Sequence, residues 1–177
     1  EYEGIAIGDP VNSDLSKCYI VKTNDGGESW NVVNDVPMLN QSAGIMNRFD
    51  VYNDNMWYPI FTNDSTQNNI ILFSDNRGES FQSIQVPQDF KQQYFTSTWS
   101  DENNGFISNG YGLTSFTTNG GIDWSSPLQN IEFRIRYAKC AKQTQILYAR
   151  HYNEIIRSDD WGASWYSQGA PSNARVK

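Results

Sequence analysis

The chain has 177 residues, 20 acidic against 13 basic, and a formal net charge of −7; with no clustered Lys/Arg face, a phosphate-backbone partner is excluded. No apolar run approaches the roughly 18 residues that cross a bilayer as a helix, and His151 is the single histidine, which excludes His-rich metal sites. Aromatics make up 14% of the residues and long helix-forming segments are lacking, so the expected fold class is all-β.

The chain opens on Glu1-Tyr2-Glu3-Gly4 with neither a start methionine nor a leader, and is expected to be a processed or truncated product. Residues 4–10 read as a short strand closed by a turn, and after a polar loop at 12–16 a second strand spans 17–22. Thr23-Asn24-Asp25-Gly26-Gly27-Glu28-Ser29-Trp30 reverses the chain, and residues 30–33 return it. The next segment supplies strands at 48–52, 56–60 and 69–73 before Ser74-Asp75-Asn76-Arg77-Gly78-Glu79-Ser80-Phe81 and a return at 81–84, with its longest polar loop at 62–68. Strands at 94–99, 105–108 and 113–116 lead into Thr117-Thr118-Asn119-Gly120-Gly121-Ile122-Asp123-Trp124. Those at 133–137, 146–150 and 154–157 lead into Ser158-Asp159-Asp160-Trp161-Gly162-Ala163-Ser164-Trp165. The runs are short and bounded by Asn, Asp, Gly and Pro, as strands are. Links bearing a proline follow at Val36-Pro37, Val86-Pro87, Ser126-Pro127 and Ala170-Pro171, where a crossing between sheets needs no ladder N–H.

The four octets obey one rule: Ser/Thr, any, Asp/Asn, any, Gly, any, Ser/Asp, Trp/Phe. Gly27, Gly78, Gly121 and Gly162 lie 51, 43 and 41 residues apart, a period that signals blades or a solenoid. Asp25, Asn76, Asn119 and Asp160 sit where a short polar side chain accepts from N–H groups ahead of it. The glycine two residues later can take φ > 0 and close a hairpin. The hydroxyls of Thr23, Ser74, Thr117 and Ser158 add a second local bond. Trp30, Phe81, Trp124 and Trp165 are expected to begin the return strand and to pack between neighbouring sheets.

The octet resembles the Asp box, or BNR repeat, of sialidases, xyloglucanases, sortilin-type receptors and proteins similar to the photosystem II stability/assembly factor. Asn at 76 and 119, Phe at 81 and Asp at 123 depart mildly from the pattern. The phrases 3–10 and 101–107 also look like the second-strand signature of secreted bacterial proteins of the assembly-factor type. The resemblance implies a β-propeller of four-stranded antiparallel blades, here four, at about 1–37, 38–88, 89–129 and 130–177 of a single domain. The residues supply 15 strands, the innermost strand of the first blade being missing or lying elsewhere. That count leaves a four-blade ring one strand short or a piece of a larger ring of about six to ten blades; the second is expected, because the chain begins in mid-blade.

An Asp box marks architecture and is shared by enzymes and binding proteins, so catalysis has to be argued separately. Phe133-Arg134-Ile135-Arg136 echoes the Arg-Ile-Pro motif of sialidases but lacks its proline and precedes the fourth box rather than the first. Alternation of Phe133, Ile135 and Tyr137 with Arg134 and Arg136 explains it as one two-faced strand. Asp50, Asp54, Asp101 and Asp159 each have a local role in a turn or strand, and no spacing singles out a hydrolytic pair. His151 is expected at an exposed strand end. Cys18 and Cys140 form either a disulfide or two buried thiols, and the sequons Asn40-Gln41-Ser42 and Asn63-Asp64-Ser65 would matter only in a eukaryotic secretory setting. Trp57, Tyr58, Trp99, Tyr111 and Trp161 lie outside the repeated positions and are candidate contacts for a sugar or a protein, with filling of the space between sheets the favoured alternative for Trp57 and Trp99, and Trp161 is expected to be the most exposed. The expected function is a non-catalytic binding or scaffold module of an exported or cell-surface protein, with no cofactor, a protein or glycan ligand, and further blades of the parent protein as an additional partner. The alternatives are a sialidase- or xyloglucanase-type hydrolase with part of its site elsewhere, and a sortilin-type ectodomain.

Overall fold

The computed structural model describes residues 3–8, 19–34, 36–37, 42–43, 49–62, 66, 68–91, 93–129 and 132–169. Cys18, the asparagines of both sequons and Ala170-Pro171 lie outside them. The described elements are antiparallel strands, with one 3-10 turn at Gln88–Phe90. The chain divides into two compact units, Glu1–Gln92 and Gln93–Lys177.

In the first unit β1 (Gly4–Gly8), β2 (Tyr19–Thr23) and β3 (Asn31–Val32) form a sheet in that order. β4 (Ser42–Ala43), β6 (Asn55–Thr62), β7 (Ile70–Ser74) and β8 (Gln82–Gln85) form the second, with β5 (Asp50–Tyr52) also paired to β6. Alternate residues Tyr58 and Ile60 of β6 and Ile70 and Leu72 of β7 bury one face against Ile20, Phe81 and the partly buried Ile5 and Ile7. The other face is sealed as well: Ile71 is buried, and Trp57 stacks on Phe73 at 5.4 Å. Burial on both faces is why these strands read as nearly continuous apolar runs rather than as an alternation. Pro59 pairs with Ile71 on β7, while on its other side β6 pairs with β5 only through Trp57 and with β4 only from Phe61. A residue with no N–H to give falls in the gap between those two pairings.

In the second unit β9 (Thr96–Trp99), β10 (Gly105–Ser108), β11 (Leu113–Thr117) and β12 (Leu128–Gln129) form one sheet, and β13 (Arg136–Cys140), β14 (Leu147–His151), β15 (Glu154–Ser158) and β16 (Tyr166–Ser167) the other. Phe106 packs with Ile135, Ala138, Leu147, Ala149, Ile156 and Trp165. Three strands of this fourth sheet therefore turn alternate residues towards Phe106.

Two readings of the sequence need correction. The expected strand 133–137 begins at Arg136, and its register shifts between Arg136 and Lys139. Tyr137 takes φ 54° there and is exposed, while Ala138 is buried. The extra residue moves the inward position along by one, as bulges do. The box aromatics also do not open the return strands, which start at Asn31, Gln82, Leu128 and Tyr166. Trp30 and Trp165 instead fold back, each indole N–H donating to the carbonyl of its own box glycine, Gly27 at 3.2 Å and Gly162 at 3.0 Å.

Candidate functional site

The four boxes share one hydrogen-bonded frame. The first-position hydroxyl donates to the third-position side chain, over 2.7 Å from Thr23 to Asp25, 2.8 Å from Ser74 to Asn76, 3.0 Å from Thr117 to Asn119 and 2.8 Å from Ser158 to Asp160. The same oxygens accept the N–H of Gly27, Gly78, Gly121 and Gly162. Each box closes with two successive residues at positive φ, as in a type I′ turn. Gly26, Arg77, Gly120 and Trp161 come first, at 80°, 56°, 73° and 56°, and the invariant glycines follow at 95°, 77°, 84° and 84°.

The departures from the box pattern are a change of roles. In boxes one and four the seventh-position Ser29 and Ser164 donate through both N–H and hydroxyl to the carboxylates of Asp25 and Asp160. In box three the amide of Asn119 donates instead, to the carboxylate of Asp123 at 3.0 Å. Asn at 119 thus accompanies Asp at 123, since two carboxylates there would repel. Bonds from Ser29 and then Thr23 hold the Asp25 carboxyl well below its ordinary range. Burial opposes ionisation of Asp160, but the donors Ser164 and Ser158 outweigh it and its carboxyl also lies low. Asp159 lies low too, through donation from the Tyr166 hydroxyl and from Arg157.

Boxes two, three and four each lie beside the first hairpin turn of their own sheet. The N–H of Arg77, Gly120 and Trp161 donates to the carbonyls of Asp54, Asn103 and Gln145, at 3.0, 2.9 and 3.4 Å. The box also meets the preceding sheet: a Cβ at Gly78 would stand 2.6 Å from Ile5 Cδ1, and one at Gly162 2.6 Å from the Phe106 ring. At this rim the second unit has an open groove of about 580 Å³, lined by Ser100, Asp101, Asn104, Gln143 to Ile146, Asp159 and Trp161. Its walls are fixed by one backbone and one side-chain bond, Gln143 N–H to Ser100 O at 3.1 Å and Thr144 N–H to Ser100 Oγ at 2.9 Å. Asp101 accepts from the N–H groups of Asn103 and Asn104 at 2.9 Å and so shapes the facing turn. Trp161, half-buried, stacks on Phe116 at 6.4 Å and 17° and turns part of its ring to the groove.

The five candidate contact aromatics are not brought together. Trp57, Tyr58 and Trp99 are buried at 0%, 3% and 0% exposure, which corrects their reading as ligand contacts. Their place outside the repeat reflected packing: Trp57 on Phe73, Tyr58 on Phe49, and Trp99 against Trp124 and over Gly105, where a Cβ would come within 2.7 Å of its ring. Tyr111 is exposed in the turn between β10 and β11, at the end away from the boxes, and only Trp161 reaches the groove. Tyr94, Tyr137 and Tyr152 are exposed and escaped the sequence reading; the turn position of Tyr152 was a usable signal, whereas the bulge at Tyr137 was not. His151 is half-buried, its Nδ1 accepting the N–H of Arg134. Asp54 pairs with Arg77 at 2.7 Å, and Asp50 is buried in β5. Among the described residues no group of three or more His, Cys, Asp or Glu converges as a metal site.

No protein-family model matches the sequence, and no curated protein is similar to it. Solved structures show the fold. YCF48 bound to D1 peptide is 14% identical over 84% of this chain and 47% of its own, with a TM-score of 0.57. The intramolecular trans-sialidase from Ruminococcus gnavus is 15% identical over 87% and 41%, with 0.51. The GH74 xyloglucanase from Xanthomonas campestris is 12% identical over 89% and 28%, with 0.52. The chain has the all-β fold of these propellers, its four sheets being blades with Asp-box hairpins, and it spans half or less of the length of each.

Proposed function

We propose that the chain is a non-catalytic binding or scaffold module of an exported protein, its blades belonging to one propeller domain, which holds a protein or glycan segment through its loops. The observation that carries this reading is the groove of the second unit, where Trp161 occupies a backbone conformation that a bulky side chain adopts only at a cost. The corresponding residues of boxes one and three are Gly26 and Gly120, so the turn itself does not require an indole. A half-exposed ring among amides, hydroxyls and carboxylates suits stacking on a sugar or anchoring an extended peptide. Asp25, Asp159 and Asp160 are all held towards the ionised form, so none of these three is the raised general acid that glycoside hydrolysis needs. The peptide seen with YCF48 supports a polypeptide occupant. Within the described residues no helix is long and apolar enough to cross a membrane.

The test is Trp161→Gly, which copies boxes one and three and removes the ring without straining the turn. On an oligosaccharide array and a library of extended peptides, a ligand held by the native chain is expected to be lost by the variant at a temperature where both remain folded. Equal binding by both would refute the groove as the site.

A further inference from the structure

The end of the fourth sheet away from its Asp box carries a second cluster, independent of the groove. The chain enters β13 there through Phe133, Arg134 and Ile135, and leaves β14 through Arg150 and His151 into a turn at Tyr152 and Asn153. Ile135 is fully buried and its carbonyl accepts from Ser108 Oγ at 2.8 Å, which pins the incoming segment. His151 accepts the Arg134 N–H at 2.8 Å and sets its ring edge-on against Phe133 at 5.2 Å and Tyr152 at 4.5 Å.

Two guanidinium groups are positioned there by aromatic rings. Arg134 lies 5.8 Å from the Tyr152 ring centre and Arg150 5.0 Å from that of Tyr137. Both tyrosines have positive φ, 50° and 54°, a conformation uncommon for bulky residues that persists where the surroundings impose it. Arg150 Nε is buried without a hydrogen-bond partner, which calls for a compensating role. Among the described residues neither guanidinium has a carboxylate partner, unlike Arg77 with Asp54 and Arg157 with Asp159. The acid nearest in register, Glu154, faces His151 in the ladder and accepts instead from Ser167. All this occurs in a chain of net charge −7.

We infer that this arginine–tyrosine end of the fourth sheet docks the carboxylates of an acidic protein segment. A guanidinium already lying against a ring presents its remaining N–H donors in a planar fork that fits a carboxylate bidentately. The exposed rings of Tyr137 and Tyr152, at 59% and 63%, supply the Tyr-and-Arg composition of a protein-binding hot spot rather than that of a small-anion pocket.

The experiment titrates a fluorescein-labelled glutamate-rich peptide into the full chain and follows anisotropy at low and moderate salt. Saturable binding weakened by salt is expected, with Arg134→Gln and Arg150→Gln each losing about tenfold. Lysine at either position should restore only part of that loss. Arg77→Gln, which removes an already paired guanidinium elsewhere, should bind as the native chain does. Should Arg150→Gln fail to fold, the exposed Arg134 carries the test through Arg134→Glu, expected to abolish binding at a native melting temperature. Undiminished binding by the Arg134 variants would overturn the inference. So would retention of a sulfated oligosaccharide in place of the peptide, since that reassigns the partner class. Trp161→Gly keeps peptide binding if the inference holds, so its failure and that of the groove are told apart.

Discussion

The two units build the same junction and finish it differently. In the first, box two presses Gly78 against Ile5, and the residue before that glycine is Arg77, held by Asp54 at 2.7 Å and reaching Glu3 at 3.7 Å. In the second, box four presses Gly162 against Phe106, and the corresponding residue is Trp161, which has no ion pair and lines an open groove. The backbone is alike at both, with φ of 56° at Arg77 and at Trp161. The scaffold fixes where a side chain is displayed, and the choice of side chain decides whether the rim is tied down by charge or left open to a ligand. Lys22, buried and paired with Glu79 of box two, adds a second ion pair beside that box in the first unit.

The largest effects should come from the junction glycines. An alanine at either takes a left-handed conformation and a close contact, together costing about 2–4 kcal/mol. The two contacts differ in kind: Ile5 Cδ1 is the end of a flexible side chain, whereas Phe106 presents a ring packed against Trp165 at 6.1 Å. Gly162→Ala should therefore lower the urea midpoint more than Gly78→Ala, and equal shifts would show that the flexible and the packed contact cost the same.

Next in size is the exchange of roles inside the boxes. Asn119→Asp sets a carboxylate against Asp123, now 3.0 Å from the Asn119 amide, and should lower the melting temperature at pH 7. Asp160→Asn, which copies the Asn76 and Ser80 pair of box two, should cost less, losing only what the ionised carboxylate contributes. The penalty in Asn119→Asp is electrostatic: it is present when both groups are ionised and disappears as pH falls and either is protonated. The native carboxyls behave oppositely. Those of Asp25, Asp159 and Asp160 are depressed in the folded state, so their contribution is full above about pH 4 and is lost as the pH falls further. A pH-independent deficit in Asn119→Asp would rule out the repulsion.

Much of this architecture was legible in the residues. The octets located four turns because their chemistry is local: a hydroxyl, an acceptor and a glycine within five residues suffice to close the loop. β10 falls on Gly105–Ser108, where it was expected. The candidate site was less legible. Trp57 and Trp99 look like free aromatics in the sequence, but a position outside a repeat carries no information about burial, and both faces of their sheets are covered. The register change at Tyr137 left no mark either, because an alternating pattern continues through a bulge that the chain does not honour. Trp161 could be placed in its turn, but its groove depends on Ser100, Asp101 and Gln143, far away in the chain.

The smallest effect should be that of Arg77→Gly. It removes an exposed ion pair worth about 0.5 kcal/mol and relieves a strained φ by a similar amount, so stability should change by less than about 0.5 kcal/mol. A substantial loss there would mean that the charged rim of the first unit contributes structure that its counterpart lacks.

The most direct measurement is an NMR titration that follows the indole N–H signals of the 6 tryptophans with a ligand selected on the oligosaccharide array or peptide library. The account predicts that the Trp161 signal moves with saturation while those of the buried Trp57 and Trp99 stay in place. A Trp161 signal unmoved at saturation would contradict it.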